Sequence, residues 1–148
     1  MTYTYAYPRP MVTVDIIIID NTVQPHRILL IKRGHDPFAG CYALPGGFVD
    51  EDENLEAAAR RELKEETNIT HENLRQFQAF GDKGRDPRGH NVTVVFYGYV
   101  NPAEAMATAG DDAAALEWFP LDQLPPLAFD HKKIISLFVS GIIQKSDL

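Results

Sequence analysis

The feature that most constrains this chain is an abrupt change of character near residue 50. Between Arg33 and Gly47 the sequence carries Gly34, Pro37, Gly40, Pro45, Gly46 and Gly47, too many breakers for a long regular element. That stretch is expected to be mostly loop. From Leu55 to Thr67 there is neither Gly nor Pro, and Ala, Leu, Glu, Arg and Lys dominate, so the segment is predicted to be a helix. Asp50, Asp52 and Asn54 are candidate N-caps, and Asn68 suits the left-handed residue that ends many helices. On this helix Glu62 and Glu66 stand one turn apart on the face that carries Leu55, Ala58 and Ala59, with Glu65 close beside them. Glu62 therefore falls near the middle of the surface that should meet the core. Like charges gathered there are costly unless their pKa values rise or a cation relieves them. Carboxylate oxygens are hard ligands suited to Mg²⁺ or Mn²⁺, and no Cys or His accompanies them to favour zinc. The competing reading is a solvated charged face, in which Glu56, Glu62, Glu65 and Glu66 pair with Arg60, Arg61 and Lys64.

Around this helix the pattern alternates. Met11–Asp20, Arg27–Lys32, Leu74–Phe80, Asn91–Val100 and Ala114–Phe119 read as strands. A polar loop from Gly81 to Gly89 joins the third and fourth, and the apolar spacing of Asp130–Gln144 predicts a C-terminal amphipathic helix. The 148 residues suit a single mixed α/β domain over 1–148. A net charge of −7 gives no general attraction to nucleic acid or acidic lipid. The lone Cys41 forms no internal disulfide, the N-terminus has no signal-peptide pattern, and no apolar run approaches the ~20 residues of a membrane span. A cytoplasmic protein without membrane or nucleic-acid partners is the expectation.

Spacing decides between the two readings of the helix. Gly47, five residues, Glu53, seven residues, then Arg61-Glu62-Leu63-Lys64-Glu65-Glu66-Thr67-Asn68-Ile69 resembles the Nudix box, G-x5-E-x7-R-E-U-x-E-E-x-G-U with U aliphatic. At residue frequencies near ~7%, six matches in register arise by chance about once in ten million. The departure is Asn68 in place of the final Gly. The resemblance implies an α/β/α sandwich with a mixed sheet and a loop-helix-loop metal site. It implies that the Gly46 carbonyl, Glu62 and Glu66 hold Mg²⁺ or Mn²⁺, that Glu65 is a further ligand or support, and that Glu53 and Arg61 orient the cluster. It also implies cleavage of the pyrophosphate of a nucleoside diphosphate derivative by metal-activated water. Asp112, with Asp111 beside it, resembles a later loop position that supplies a base or ligand, although Gly110-Asp111-Asp112 also reads as a plain turn.

Further likeness points to substrate. Gly84-Arg85-Asp86-Pro87-Arg88-Gly89, Leu127-Ala128-Phe129-Asp130-His131, Pro37-Phe38 and Leu44-Pro45-Gly46-Gly47-Phe48-Val49-Asp50 resemble an ADP-ribose pyrophosphatase branch, which implies ADP-ribose cut to AMP and ribose 5-phosphate. Arg85 and Arg88 are the expected substrate clamps, and Phe38 the expected stacking ring, with Phe80 and Tyr99 as alternatives. His131 reads as a cap or packing residue outside the site. Another nucleotide as substrate, or a domain that senses ADP-ribose without cutting it, are the alternatives; the complete box and the want of a DNA-binding segment weigh against the second. Tyr3, Tyr5 and Tyr7 offer a surface for a homodimer.

Overall fold

The computed structural model describes residues 2–110 and 113–143. Its centre is β1 (Met11–Asp20). The strand is buried from Thr13 to Asp20 without alternation, as expected of a strand covered on both faces. Even-numbered side chains Val14, Ile16 and Ile18 pack with Ala58, Ala59 and Leu63 of helix α1 (Leu55–Thr67). Odd-numbered Ile17 and Ile19 pack with Ile134, Ile135 and Phe138 of helix α3 (His131–Ile142). One helix on each face of a sheet is the expected α/β/α sandwich.

The remaining strands are β2 (Arg27–Arg33), β3 (Tyr42–Ala43), β4 (Gly46–Phe48), β5 (Arg75–Phe80), β6 (Asn91–Tyr99) and β7 (Ala113–Pro120), and a short helix α2 spans Pro102–Ala105. Among the described residues the seven strands form one mixed sheet, β3-β2-β1-β6-β5, with β4 added to β1 and β7 to β2. β1 and β6 run parallel, from Met11↔Asn91 to Ile19↔Tyr99, and the other strand pairs among the described residues are antiparallel. On its other edge β1 meets β2 only at Ile19 and Asp20, so the two strands splay apart toward the start of β1. Residues 42–48 bridge that opening, pairing with β2 through Tyr42–Ala43 and with β1 through Gly46–Phe48. The breaker-rich stretch is thus less purely loop than its composition predicts. Both short strands exist because β1 and β2 supply ladder partners, which leaves no periodicity in so few residues.

Local chemistry sets the ends of α1. Of the three candidate caps Asn54 is used, its side chain accepting from the amides of Glu56 and Ala57, and Asn68 ends the helix at φ 61°. Helix α2, not foreseen in the sequence, is one turn capped by Asn101. Phe80 is buried in the α3-side core, which removes it as a stacking ring. Tyr3, Tyr5 and Tyr7 are exposed. Among the described residues no helix is long and apolar enough to cross a membrane.

Candidate active site

A cleft of about 520 Å³ opens where β1 and β2 diverge, a volume typical of small-molecule sites. The box forms one wall. Gly47 lies against α1, and a Cβ there would sit 2.5 Å from the Glu62 carboxyl carbon, so any larger residue would displace that carboxylate. The Gly46 amide donates to Glu66 Oε2 at 3.3 Å. Glu62 is buried, as its position on the helix predicts, while Glu65 is exposed.

Arg61 organises this wall. Its Nε and Nη2 form a fork on Glu53 at 2.7 and 2.8 Å, Nη1 reaches Glu62 Oε1 at 2.9 Å and Glu65 Oε2 at 3.2 Å, and Nη2 also donates to the Phe48 carbonyl. Glu53 in turn accepts from the Asp50 amide. The fork holds the Glu53 carboxyl down at about 2. Burial acts the other way on the inner pair: it pushes Glu62 up, and with Glu62 and Asp15 nearby pushes Glu66 up to about 8. The inner pair thereby resists joint ionisation, and Glu66 holds its proton at neutral pH.

These residues fit a divalent cation by donor chemistry, since hard oxygens dominate and burial disfavours their joint ionisation. Among the described residues no three acidic, His or Cys side chains already converge as a ligand cluster. The reason is visible in the bonding. Glu62 and Glu65 turn an oxygen to Arg61, and Glu66 turns one to the Gly46 amide. Asp111 and Asp112 lie outside the described residues; the preceding Gly110 donates its amide to the Glu66 carbonyl at 2.8 Å.

The rest of the lining departs from expectation. Arg85 borders the cleft, but its Nε and Nη2 form a fork on Asp130 at 3.0 and 2.7 Å and its side chain is only 3% exposed. It is a strut between the 81–90 loop and the start of α3, which conflicts with its expected use as a freely reaching clamp. Arg88 is paired with Asp86 at 2.8 Å yet remains 39% exposed, lying over the rings of Phe48 and Phe129. Phe38 is not part of the lining; its ring packs edge-on against Phe129, 4.9 Å away, and Phe129 and Phe48 are the rings that border the cleft. Tyr99 does not border it either.

Arg33 and Asp15, not foreseen in the sequence, and His131, expected outside the site, also line the cleft. Arg33, at the end of β2, gives its Nε to the Pro37 carbonyl and lies 5.0 Å from the Phe129 ring, with no carboxylate ion pair among the described residues. Burial and the neighbouring Arg88 both work against its charge, a situation that a bound anion would relieve. Asp15 sits on β1 opposite Gly46. Burial pushes its carboxyl up, but the facing His131, the Thr93 hydroxyl at 2.6 Å and Arg85 outweigh this and hold it below its ordinary value. His131 is buried beside it, Nε2 3.6 Å from Asp15 Oδ1. A signal existed for Asp15: an acid inside the apolar run Met11–Ile19 is out of place on a strand covered on both faces.

Known proteins resemble this chain. A family model described as NUDIX domain matches residues 9–138. An ADP-ribose pyrophosphatase of Methanocaldococcus jannaschii is 47% identical over 129 residues, covering 87% of this chain and 73% of the relative. An ADPR responsive transcriptional repressor, NtrR, of Acinetobacter baylyi is 40% identical over 144 residues, covering 95% of this chain; the chain spans only 57% of that repressor. Among solved structures, the NUDIX domain of Shewanella oneidensis NrtR complexed with ADP ribose superposes with a TM-score of 0.81 at 34% identity, covering 88% of this chain and 87% of that one.

Proposed function

The chain belongs to the NUDIX domain family, and from that premise we propose that it is a metal-dependent hydrolase that cleaves ADP-ribose to AMP and ribose 5-phosphate. The observation that carries the reading is the complete carboxylate box, with Glu62, Glu65 and Glu66 lining one cleft together with Arg33 and Arg88. ADP-ribose is supported by the M. jannaschii relative's name and by the ligand of the Shewanella domain.

Glu62, Glu66 and the Gly46 carbonyl would hold Mg²⁺ or Mn²⁺, with Glu65 as a further ligand. When bound, the ion polarises the phosphoryl oxygens and lowers the pKa of water for attack on phosphorus. Arg61 balances the box charge and keeps α1 and the 47–53 loop in register. In the ion-free protein at neutral pH, Glu66 retains a proton that must leave when it becomes a ligand. Arg33 and Arg88 receive the diphosphate oxygens, and Phe48 and Phe129 supply flat faces for the base. Arg85 maintains the shape of the loop that presents Arg88. Asp112 is the proposed additional ligand or base.

The test is AMP release from ADP-ribose with Mg²⁺ or Mn²⁺, beside deoxynucleoside triphosphates, NADH and diadenosine polyphosphates. Preferential, metal-dependent cleavage of ADP-ribose is expected; preference for another compound would sink the substrate assignment. The second reading is a domain that binds ADP-ribose without cutting it, favoured by the similarity to the longer NtrR repressor. Tight binding without turnover would establish it. For the cleft's open cation, Arg33→Ala is expected to raise KM by about 10–100-fold, the worth of one charge-assisted hydrogen bond, with a smaller change in kcat. Steady-state kinetics that leave KM unchanged would remove Arg33 from the phosphate site.

A further inference from the structure

His131 borders the cleft, yet both of its ring nitrogens are directed at the protein. Nδ1 lies 3.1 Å from the Leu44 amide nitrogen, 87 residues away along the chain. A backbone N–H can only donate, so Nδ1 accepts and carries no proton. The ring hydrogen is therefore on Nε2, which faces Asp15 Oδ1 at 3.6 Å.

The place where this bond lands gives it consequence. Leu44 is buried and falls between β3 and β4, where neither ladder supplies an acceptor for its amide. An unmet buried N–H is costly, and the backbone would shift to satisfy it. The next two residues are anchored by other means: the Pro45 carbonyl accepts from Ile16 at 2.8 Å, and the Gly46 amide reaches Glu66. Asp15 packs directly beneath Gly46, whose missing side chain would lie 2.5 Å from Oδ1. Of these anchors, the one at Leu44 comes from α3, on the far face of the sheet from α1.

We propose that His131 is a positioning residue: as the neutral imidazole with its proton on Nε2, it fixes the Leu44–Gly46 backbone relative to Glu62 and Glu66 through its Nδ1 acceptor. It acts through this segment and not on the substrate. Asp130 next to it holds Arg85, so two adjacent residues at the start of α3 each fix a part of the cleft lining.

The kinetic part of the test rests on the proposed hydrolysis, and the other parts do not. In the 148-residue chain, imidazole ¹⁵N spectra should show an unprotonated Nδ1 with a scalar coupling to the Leu44 amide. His131→Phe keeps a flat ring and removes the acceptor. It is expected to lower kcat about 10–100-fold and weaken Mn²⁺ binding similarly, the range for residues that orient ligands, while KM for ADP-ribose stays within a few-fold. His131→Asn returns an acceptor near the Nδ1 position and should recover most of both losses. A proton on Nδ1, an Asn variant as impaired as Phe, or a Phe variant that raises KM with kcat intact would each overturn the proposal. If ADP-ribose proves not to be hydrolysed, the ¹⁵N spectra and Mn²⁺ titrations still decide it, so its failure is distinguishable from that of the functional reading.

Discussion

Glu66→Gln is expected to reduce turnover by at least ~10²–10³-fold, beyond the roughly 10–100-fold typical of groups that only support a ligand, and to make the metal-free protein more stable. The two effects share one cause. Burial holds the Glu66 carboxyl at about 8, against 4.5 in an unfolded chain. Between those values the unfolded chain gives up its proton and the folded one keeps it, so metal-free stability falls as pH rises from 4.5 to 8 and levels off above. Below 4.5 both states are protonated and nothing is lost. Glutamine preserves side-chain volume and can still accept from the Gly46 amide, but it does not ionise and the fall disappears. At pH 7.5 the gain should be about 2–4 kcal/mol, read as a rise of roughly 5–10 °C in Tm for a chain of this size. Thermal melts with chelator from pH 5 to 8, compared with turnover in Mg²⁺, provide the check. A variant with most of its activity, or with a wild-type slope of stability against pH, would rule out this role for Glu66.

Arg85→Ala should act mainly on stability. Its guanidinium is buried in a fork on Asp130, and removing one partner leaves the other carboxylate without its counter-charge, at a cost of about 3–5 kcal/mol. Replacing both, as Arg85→Met with Asp130→Leu, should recover much of that loss, because two apolar side chains leave no orphaned charge. Denaturant melts of the two single variants and the double variant measure the coupling. If Arg85 instead clamped the substrate, as its place beside Arg88 in the sequence suggests, the single variant would raise KM and leave the melt nearly unchanged.

These two residues illustrate how far the sequence could be read. The box was legible because it is local: Gly47, Glu53, Arg61, Glu62, Glu65 and Glu66 lie on one loop and one helix, where spacing converts directly into a shared face. The bounds of α1 and its Asn68 terminus follow from the same local chemistry. The roles of Arg85 and Phe38 were not legible. Whether an arginine reaches solvent or is consumed by a carboxylate depends on what the rest of the chain brings to it, and Asp130 arrives from 45 residues away. Phe38 is similar in kind, since its ring is turned onto Phe129. Arg33 carried no pattern at all; its importance comes from its place in the cleft with no carboxylate ion pair among the described residues.

By itself, then, the sequence determined the alternating strand pattern, the capped helix, and a set of carboxylates that ordinary core patterning does not tolerate. These are decided by interactions a few residues long, in which backbone propensity and side-chain periodicity suffice. Only the tertiary structure decided that β1 and β2 splay to open a cleft, that residues 42–48 bridge it, and that Asp15, Arg33, Phe129 and His131 line it. Those outcomes depend on burial and on long-range pairing of charges and hydrogen bonds, and both are properties of the packed molecule.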